Sequence, residues 1–276
     1  MRTIIHLSDL HFGRVDQPIL APLLRFIHAA QPDLVVVSGD LTQRARTAEF
    51  VAARAFLDEM PFPLLVVPGN HDIPLANLVA RFTRPLQKYL RHVCADLSPF
   101  FGDPEIAVAG LNTARSLTTK YGRINRAQLA LLRRRFRGIG DEITKVVVTH
   151  HPFDLPPGYA DRRQLVGGAQ MAMAAMVECG VDLLLSGHLH LNRTAFTAGR
   201  NQLTGHSALI VQAGTATSTR GRGEANSFNR LRIDRGKISV EPIHWNPSSE
   251  CLTGGSVAHF QRTAAGWRPA NAASPA

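Results

Sequence analysis

The sequence predicts an α/β fold, and three observations carry that prediction. Short apolar runs bounded by Gly, Pro and Asp alternate with amphipathic segments up to about residue 190. The runs are Val-, Ile- and Leu-rich at successive positions, as strands covered on both faces are. After about residue 205 the helical segments stop and β-like stretches follow one another, which points to a second sheet or the second half of a sandwich.

Taken in order, TIIHL (3–7) reads as a buried strand and ILAPLLRFIHAAQ (19–31) as a helix. DLVVVSGD (33–40) is a strand, TAEFVAARAFLDEM (47–60) a helix and PLLVVPGN (63–70) a strand. LANLVARFTRPLQKYLRHV (75–93) is helical with a break at Pro85. IAVAGLNT (106–113) is a strand. In INRAQLALLRRRFRG (124–138), Leu129, Leu132 and Phe136 recur at helical spacing, so Arg133, Arg134, Arg135 and Arg137 fall on a solvated face. KVVVTHHP (145–152) is a strand, GAQMAMAAMVECG (168–180) a helix ended by Gly180, and VDLLLSGHLH (181–190) a strand. SALIVQAGTAT, SFNRLRIDRG and KISVEPIHW read as consecutive strands, the last two joined by a DRG hairpin turn. Residues 1–261 are expected to form a single domain. RTAAGWRPANAASPA (262–276), rich in Ala, Pro and Asn, is expected to be a frayed tail.

Composition narrows the partners. With 276 residues and 45% hydrophobic content the chain can bury a large core. No apolar run approaches the roughly 18 residues of a membrane span, and the N-terminus lacks a secretory pattern, so a cytoplasmic location is expected. Cys94, Cys179 and Cys251 are odd in number and form no CxxC, which argues against disulfides or a thiolate site and for buried apolar thiols. A net charge of +10 favours anionic partners: phosphate esters, nucleotides, nucleic acid or an acidic membrane surface. RGRG at 220–223 is a candidate phosphate-contacting loop.

The chemistry gathers at the carboxyl ends of the strands, where open α/β sheets bind ligands. Asp9 and His11 follow the first strand, Asp40 the second, and Asn70, His71 and Asp72 the third. His150 and His151 end a later strand, and His188 and His190 the one after it. All are oxygen or nitrogen ligand types. In Asp9-x-His11 and His188-x-His190 the two side chains share a direction if the extended conformation continues. Glycines before Asp40, Asn70 and His188 would let the backbone approach an ion closely. Asn70 offers a carbonyl oxygen without further negative charge. Each fragment alone also has a structural reading, a turn or a cap; five strand ends carrying ligand types together do not.

Asp9-x-His11, Gly39-Asp40, Gly69-Asn70-His71-Asp72, His150 and Gly187-His188-x-His190, in order over residues 9–190, resemble the signature blocks of the calcineurin-like metallophosphoesterase superfamily. HLSDLHFGR and VVSGDLT look most like its bacterial class III cyclic-nucleotide phosphodiesterase branch, although DNA-repair exonucleases of the superfamily begin similarly. The resemblance implies a four-layer αββα sandwich of two mixed β-sheets flanked by helices. It also implies two metal ions, one held by Asp9, His11 and His190, the other by Asn70, His150 and His188, with Asp40 bridging. Between His150 and His151, the family phrase favours His150. Manganese or an iron-containing pair is the first expectation, with Zn, Co or Ni also compatible with such ligands.

The implied activity is hydrolysis of a phosphodiester by a metal-activated hydroxide, with 3′,5′-cyclic AMP as the first expected substrate. His71 would protonate the departing oxygen or stabilise the transition state. Asp72 would orient the His71 ring or cap a following helix. Nuclease activity is an alternative, weakened by the 7% aromatic content. A phospholipid or lipid pyrophosphate hydrolase is another, for which Phe82, Leu86, Tyr89 and Leu90 would meet lipid unless they pack inward. A non-catalytic scaffold is the remote one, since no ligand position is lost. Asn112, Arg115, Arg123 and Arg220 are candidate substrate contacts. LTGGSVAHFQ near the C-terminus could close a pocket or pair across a homo-oligomer.

Overall fold

The computed structural model describes residues 1–197, 207–220, 223–264 and 266–270. The chain opens with β1 (Arg2–Leu7), α1 (Gln17–Ala30), β2 (Leu34–Val37), α2 (Thr47–Asp58) and β3 (Leu64–Val66). A 3-10 turn (Asn70–Asp72) leads into α3 (Leu78–Thr83) and α4 (Gln87–His92). Next come β4 (Phe100–Gly102), β5 (Ile106–Gly110), α5 (Arg126–Phe136) and β6 (Thr144–Val148). A second 3-10 turn (Arg162–Gln164) precedes α6 (Ala169–Glu178), β7 (Leu183–Ser186), β8 (Arg193–Phe196) and β9 (Leu209–Gln212). The chain finishes with β10 (Ser227–Asp234), β11 (Lys237–Asn246), β12 (Cys251–Gly254), β13 (Ala258–Thr263) and β14 (Gly266–Pro269).

The strands form two mixed sheets. One runs β14-β13-β11-β10-β1-β2-β3, with β12 beside β11; the other runs β4-β5-β6-β7-β9-β8. Alternate residues of each strand face different cores. Ile4, Val36, Val108, Val146, Leu185 and Val211 meet between the sheets. Ile5, Val35 and Val37 pack outward on Leu23 and Ile27 of α1 and Phe50 of α2. Ala109, Val147 and Leu184 pack outward on Leu129 and Leu132 of α5 and Met173 and Met176 of α6. The result is a four-layer αββα sandwich, as the resemblance implies. Near-continuous apolar runs are what strands buried on both faces require.

Local signals set the helices. Pro18 lies in the first turn of α1, where a missing N–H costs nothing. Asn125 and Gln128 cap α5 reciprocally. Pro85 separates α3 from α4. Arg133 reaches Glu178 across the α5–α6 seam, and Arg135 lies over Phe100. Tyr89 and Leu86 of the α3–α4 segment are buried, whereas Leu75, Leu78, Val79, Phe82 and Leu90 are exposed.

Three sequence expectations are corrected, and two edge strands are added. The stretch SALIVQAGTAT does not join the C-terminal meander: β9 pairs in parallel with β7 in the other sheet. Edge strands β4 and β8 carry weak alternation and escaped notice. The cysteines are not fully buried: Cys94 and Cys179 are half-buried, and Cys251 is exposed. The frayed tail does not begin at residue 262. β14 pairs with β13, and Trp267 is 1% exposed, donating its ring N–H to Asp182 Oδ1 at 2.9 Å. Composition misled there because a single indole can outweigh its Ala- and Pro-rich neighbours. Residues 271–276 of the expected tail lie outside the described residues, as do Gly221 and Arg222 of the RGRG loop. LTGGSVAHFQ pairs within its own chain, both β12 and β13 lying on β11.

Trp267→Ala is expected to destabilise the protein by about 3–5 kcal/mol, as large-to-small changes at buried aromatics do. An unshifted urea midpoint would show that β14 adds nothing to the fold.

Candidate metal centre

The centre follows from strand direction. β1, β2 and β3 run parallel in one sheet, and β5, β6 and β7 run parallel in the other. The loops after β1, β2, β3, β6 and β7 converge on one rim between the two sheets. The extended conformation does not continue there. Asp9, His11, Asp40, His188 and His190 all adopt left-handed φ angles, between 50° and 72°. That conformation is costly away from glycine and concentrates at functional sites. Thus Asp9-x-His11 and His188-x-His190 converge through paired sharp turns rather than through the two-residue period of a strand. The glycine reading holds: a Cβ at Gly69 would lie 2.1 Å from Asp40 Oδ1, and one at Gly187 would lie 1.8 Å from Ser8 Oγ.

The first ligand group brings Asp9, His11 and His190 together. Ser8 Oγ–H and the His188 N–H donate to Asp9 Oδ2, at 2.7 and 3.0 Å. Asp9 Oδ1 is buried without a hydrogen-bond partner. It lies 3.1 Å from His190 Nε2 and 3.5 Å from His11 Nε2. The two rings donate from Nδ1 to carbonyls, His11 to Thr42 and His190 to Arg220. Their Nε2 lone pairs therefore face each other at 3.4 Å. Two lone pairs and a carboxylate oxygen converging in a dry site fit a cation and little else.

The second group has the same logic. His150 donates from Nδ1 to Ser38 O at 2.8 Å, and His188 donates from Nε2 to Gln164 Oε1 at 2.6 Å. Asn70 donates its amide to Thr119 O at 3.1 Å. What remains, His150 Nε2, His188 Nδ1 and Asn70 Oδ1, converges, His150 Nε2 lying 3.3 Å from His188 Nδ1 and 3.2 Å from Asn70 Oδ1. Asp40 Oδ2 stands between the groups, 3.4 Å from His150 Nε2 and 3.8 Å from His11 Nε2. His151 is turned away: it donates from Nε2 to Lys120 O and accepts at Nδ1 from Thr113 Oγ–H. Both of its ring nitrogens are occupied, whereas His150 uses only Nδ1 and leaves Nε2 facing His188 and Asn70.

Electrostatics match this arrangement. Burial would raise Asp9 and Asp40, but the facing histidines hold both well below the usual carboxylate range. Burial would lower His150, but Asp40 outweighs it and raises the ring to about 9. His188 is pushed well down by burial and by His151 and His150, so its ring is neutral.

His71 lies beside Asp40, its N–H donating to Asp40 Oδ1 at 2.7 Å. Its ring donates from Nδ1 to Gln43 O and accepts at Nε2 from Arg220 Nη1, both at 2.9 Å. Both sequence readings of Asp72 are corrected. The 3-10 turn swings Asp72 away from the His71 ring, and the following helix α3 is capped by Asn77 instead. Asp72 accepts from the N–H groups of Leu41, Thr42 and Gly69 and from Thr42 Oγ–H, so it ties the β2 loop to the β3 loop.

The cleft over these groups has a volume of about 250 Å³ and is lined by Asp40, Asn70, His71, His188 and His190 with Arg44, Arg81, Lys120 and Arg220. Of the candidate substrate contacts, Arg220 alone lies in that lining. Asn112 accepts from Ala114 N–H and is a turn residue. Arg115 and Arg123 are not in the lining. Gln164, Ser8 and Lys120 were missed: their places depend on residues far away in sequence, and no motif marks them.

Comparison with known proteins identifies the family and the fold. The sequence matches the family model for calcineurin-like phosphoesterases over residues 2–192. It is 27% identical over 215 residues to a probable cyclic nucleotide phosphodiesterase of Synechococcus sp., covering 73% of this chain and 77% of that one. It is 28% identical over 209 residues to a glycerophosphodiester phosphodiesterase of Enterobacter lignolyticus, covering 68% and 70% of the two chains. Among solved structures, a dimetal phosphatase from Danio rerio superposes with a TM-score of 0.63 at 14% identity, covering 87% of this chain and 95% of that one.

Proposed function

The chain belongs to the calcineurin-like phosphoesterase family, and on that premise we propose that it hydrolyses a small phosphodiester, a 3′,5′-cyclic nucleotide first, at a dinuclear metal centre. The observation that supports this reading most is the pair of buried acceptor groups that share Asp40 Oδ2. Asp9, His11 and His190 would hold one ion, Asn70, His150 and His188 the other, and Asp40 both. Manganese or iron is the first choice because the family resemblance implies it; the mixed oxygen and nitrogen set also admits Zn, Co or Ni. Two such ions would supply Lewis-acid stabilisation of phosphoryl charge and lower the pKa of bound water.

The chain's own residues do the rest. Carbonyls of Thr42, Arg220 and Ser38, with the amide of Gln164, fix each histidine in the tautomer that offers its lone pair inward. The sandwich walls bury the ligands, Asp9, His11 and His150 completely. Arg44, Lys120 and Arg220 make the cleft attractive to an anion. Its small volume suits a mononucleotide or glycerol diester better than a duplex. The named activities of the two bacterial relatives are of this class. An amphiphilic diester is the second reading, favoured by Leu75, Leu78, Val79 and Phe82, which are exposed on the segment that borders the cleft at Leu75. Among the described residues no helix is long and apolar enough to cross a membrane.

The test is hydrolysis of bis-p-nitrophenyl phosphate beside p-nitrophenyl phosphate by protein loaded with Mn²⁺, with and without EDTA. EDTA-sensitive turnover favouring the diester is expected. Preference for the monoester, or turnover indifferent to EDTA, would overturn the reading.

A further inference from the structure

Helix α3 turns its charge inward and its apolar residues outward, the reverse of a surface helix that packs on a core. Its buried residue is Arg81, 4% exposed, whereas Val79 is 75% exposed and Leu78 and Phe82 also face water. Arg81 shows how the inversion is held. Its guanidinium donates to the carbonyls of Pro74 at 3.1 Å, Ser116 at 2.7 Å and Thr118. These bonds fasten the 116–118 loop to α3 and set Leu117, 71% exposed, next to it. Leu75, exposed just before the helix, lines the metal cleft. The charge around this face has one sign. Residues 73–95 and 106–140 contain no Asp or Glu, and Arg84 and Arg91 are exposed in the first stretch. Arg46 and Lys88 line a second hollow, which shares Arg44 and Leu75 with the cleft.

We propose that this face docks on an anionic lipid bilayer, with Leu78, Val79, Phe82 and Leu117 entering the boundary between headgroups and acyl chains and Arg44, Arg46 and Arg84 meeting lipid phosphates. The proposal goes beyond the phosphodiesterase reading and does not depend on it. A contiguous apolar face in water marks a surface that something covers. Charge complementarity selects the occupant. A bilayer of acidic lipids offers an apolar interior beneath a surface of one charge sign, which an apolar face bordered by arginines complements. A second copy of the same face would set arginine against arginine. Nucleic acid offers the negative charge, but Leu and Val give its bases no ring to stack on. In the docked state the cleft opens beside the headgroups, because Leu75 belongs both to the cleft wall and to the apolar segment.

The test is flotation of the purified protein with vesicles of phosphatidylcholine, with and without phosphatidylglycerol, at low and high salt. Wild type is expected to bind the phosphatidylglycerol vesicles at least about tenfold more tightly than the neutral ones, since each arginine near the surface adds to the attraction. High salt should release it. Val79→Ser combined with Phe82→Ser should weaken binding at least about tenfold, the worth of one apolar side chain returned to water. Leu117→Ser should weaken it from a different segment, and Arg84→Glu should do so about tenfold. All four side chains are exposed, so the melting temperatures are expected to stay at the wild-type value. Wild-type protein that ignores phosphatidylglycerol vesicles, or binds neutral ones equally, would overturn the proposal. So would a folded Val79→Ser, Phe82→Ser protein that floats as wild type does. A dimer seen by light scattering and abolished by the same two substitutions would also overturn it, by assigning the face to a second copy. No turnover is measured, so a failed diesterase assay leaves this result intact.

Discussion

Asp40→Ala is expected to lose both metal ions and to lower diester hydrolysis at least about 1000-fold, more than a single electrostatic donor is worth. The size follows from position. Asp40 Oδ2 is the oxygen that faces His150 of one ligand group and His11 of the other, while Oδ1 holds the His71 N–H. Removing the side chain leaves the four imidazoles of the two ligand groups with Asp9 as their carboxylate, too little negative charge to make two buried metal cations tolerable. Asp40→Asn is the closer control, since it keeps volume and the hydrogen bond but not the charge. Metal analysis, thermal melting and bis-p-nitrophenyl phosphate turnover read the three consequences separately. A folded Asp40→Ala protein that keeps two ions or full turnover would refute the shared-ligand reading.

His71→Ala is expected to keep both ions, because none of the His71 ring nitrogens turns toward either ligand group. Its kcat/KM should fall about 100-fold for a diester with an alkoxide leaving group, within the range for proton transfer or its electrostatic equivalent. With p-nitrophenolate, which needs no proton, the loss should be under about tenfold. Equal losses on both substrates would exclude help to the leaving group. Burial lowers the His71 ring below its ordinary range, and Arg220 opposes a second proton there. Combining His71→Ala with Arg220→Met should cost less than the sum of the single losses, since both break the same hydrogen bond.

The candidate ligands were legible because strand ends are punctuated. Asp9, Asp40, Asn70, His150 and His188 each follow an apolar run that can only be a buried strand, and parallel strands must deliver their carboxyl ends to one side. The glycines carried the same message: Gly69 and Gly187 stand where a Cβ would meet Asp40 or Ser8. The role of Asp72 was not legible. Its partners, the N–H groups of Leu41 and Thr42, come from a loop about thirty residues away, and only the fold sets that approach. Gln164 was invisible for the same reason, being a lone amide on a short 3-10 turn until His188 is placed beside it.

By itself the sequence determined which residue types reach the rim, that the strands are covered on both faces, and that the family's blocks are present in order. Those are properties of short-range patterning, in which each strand's period and punctuation are set by its own residues. The tertiary structure alone decided that β9 crosses to the second sheet, that Trp267 locks the C-terminal strand, that His150 rather than His151 offers its lone pair, and that Arg220 joins His190 to His71. Each depends on which donor meets which acceptor across a long sequence separation. A chain records its local preferences residue by residue, but the pairing of distant polar groups exists only once burial forces every one of them to find a partner.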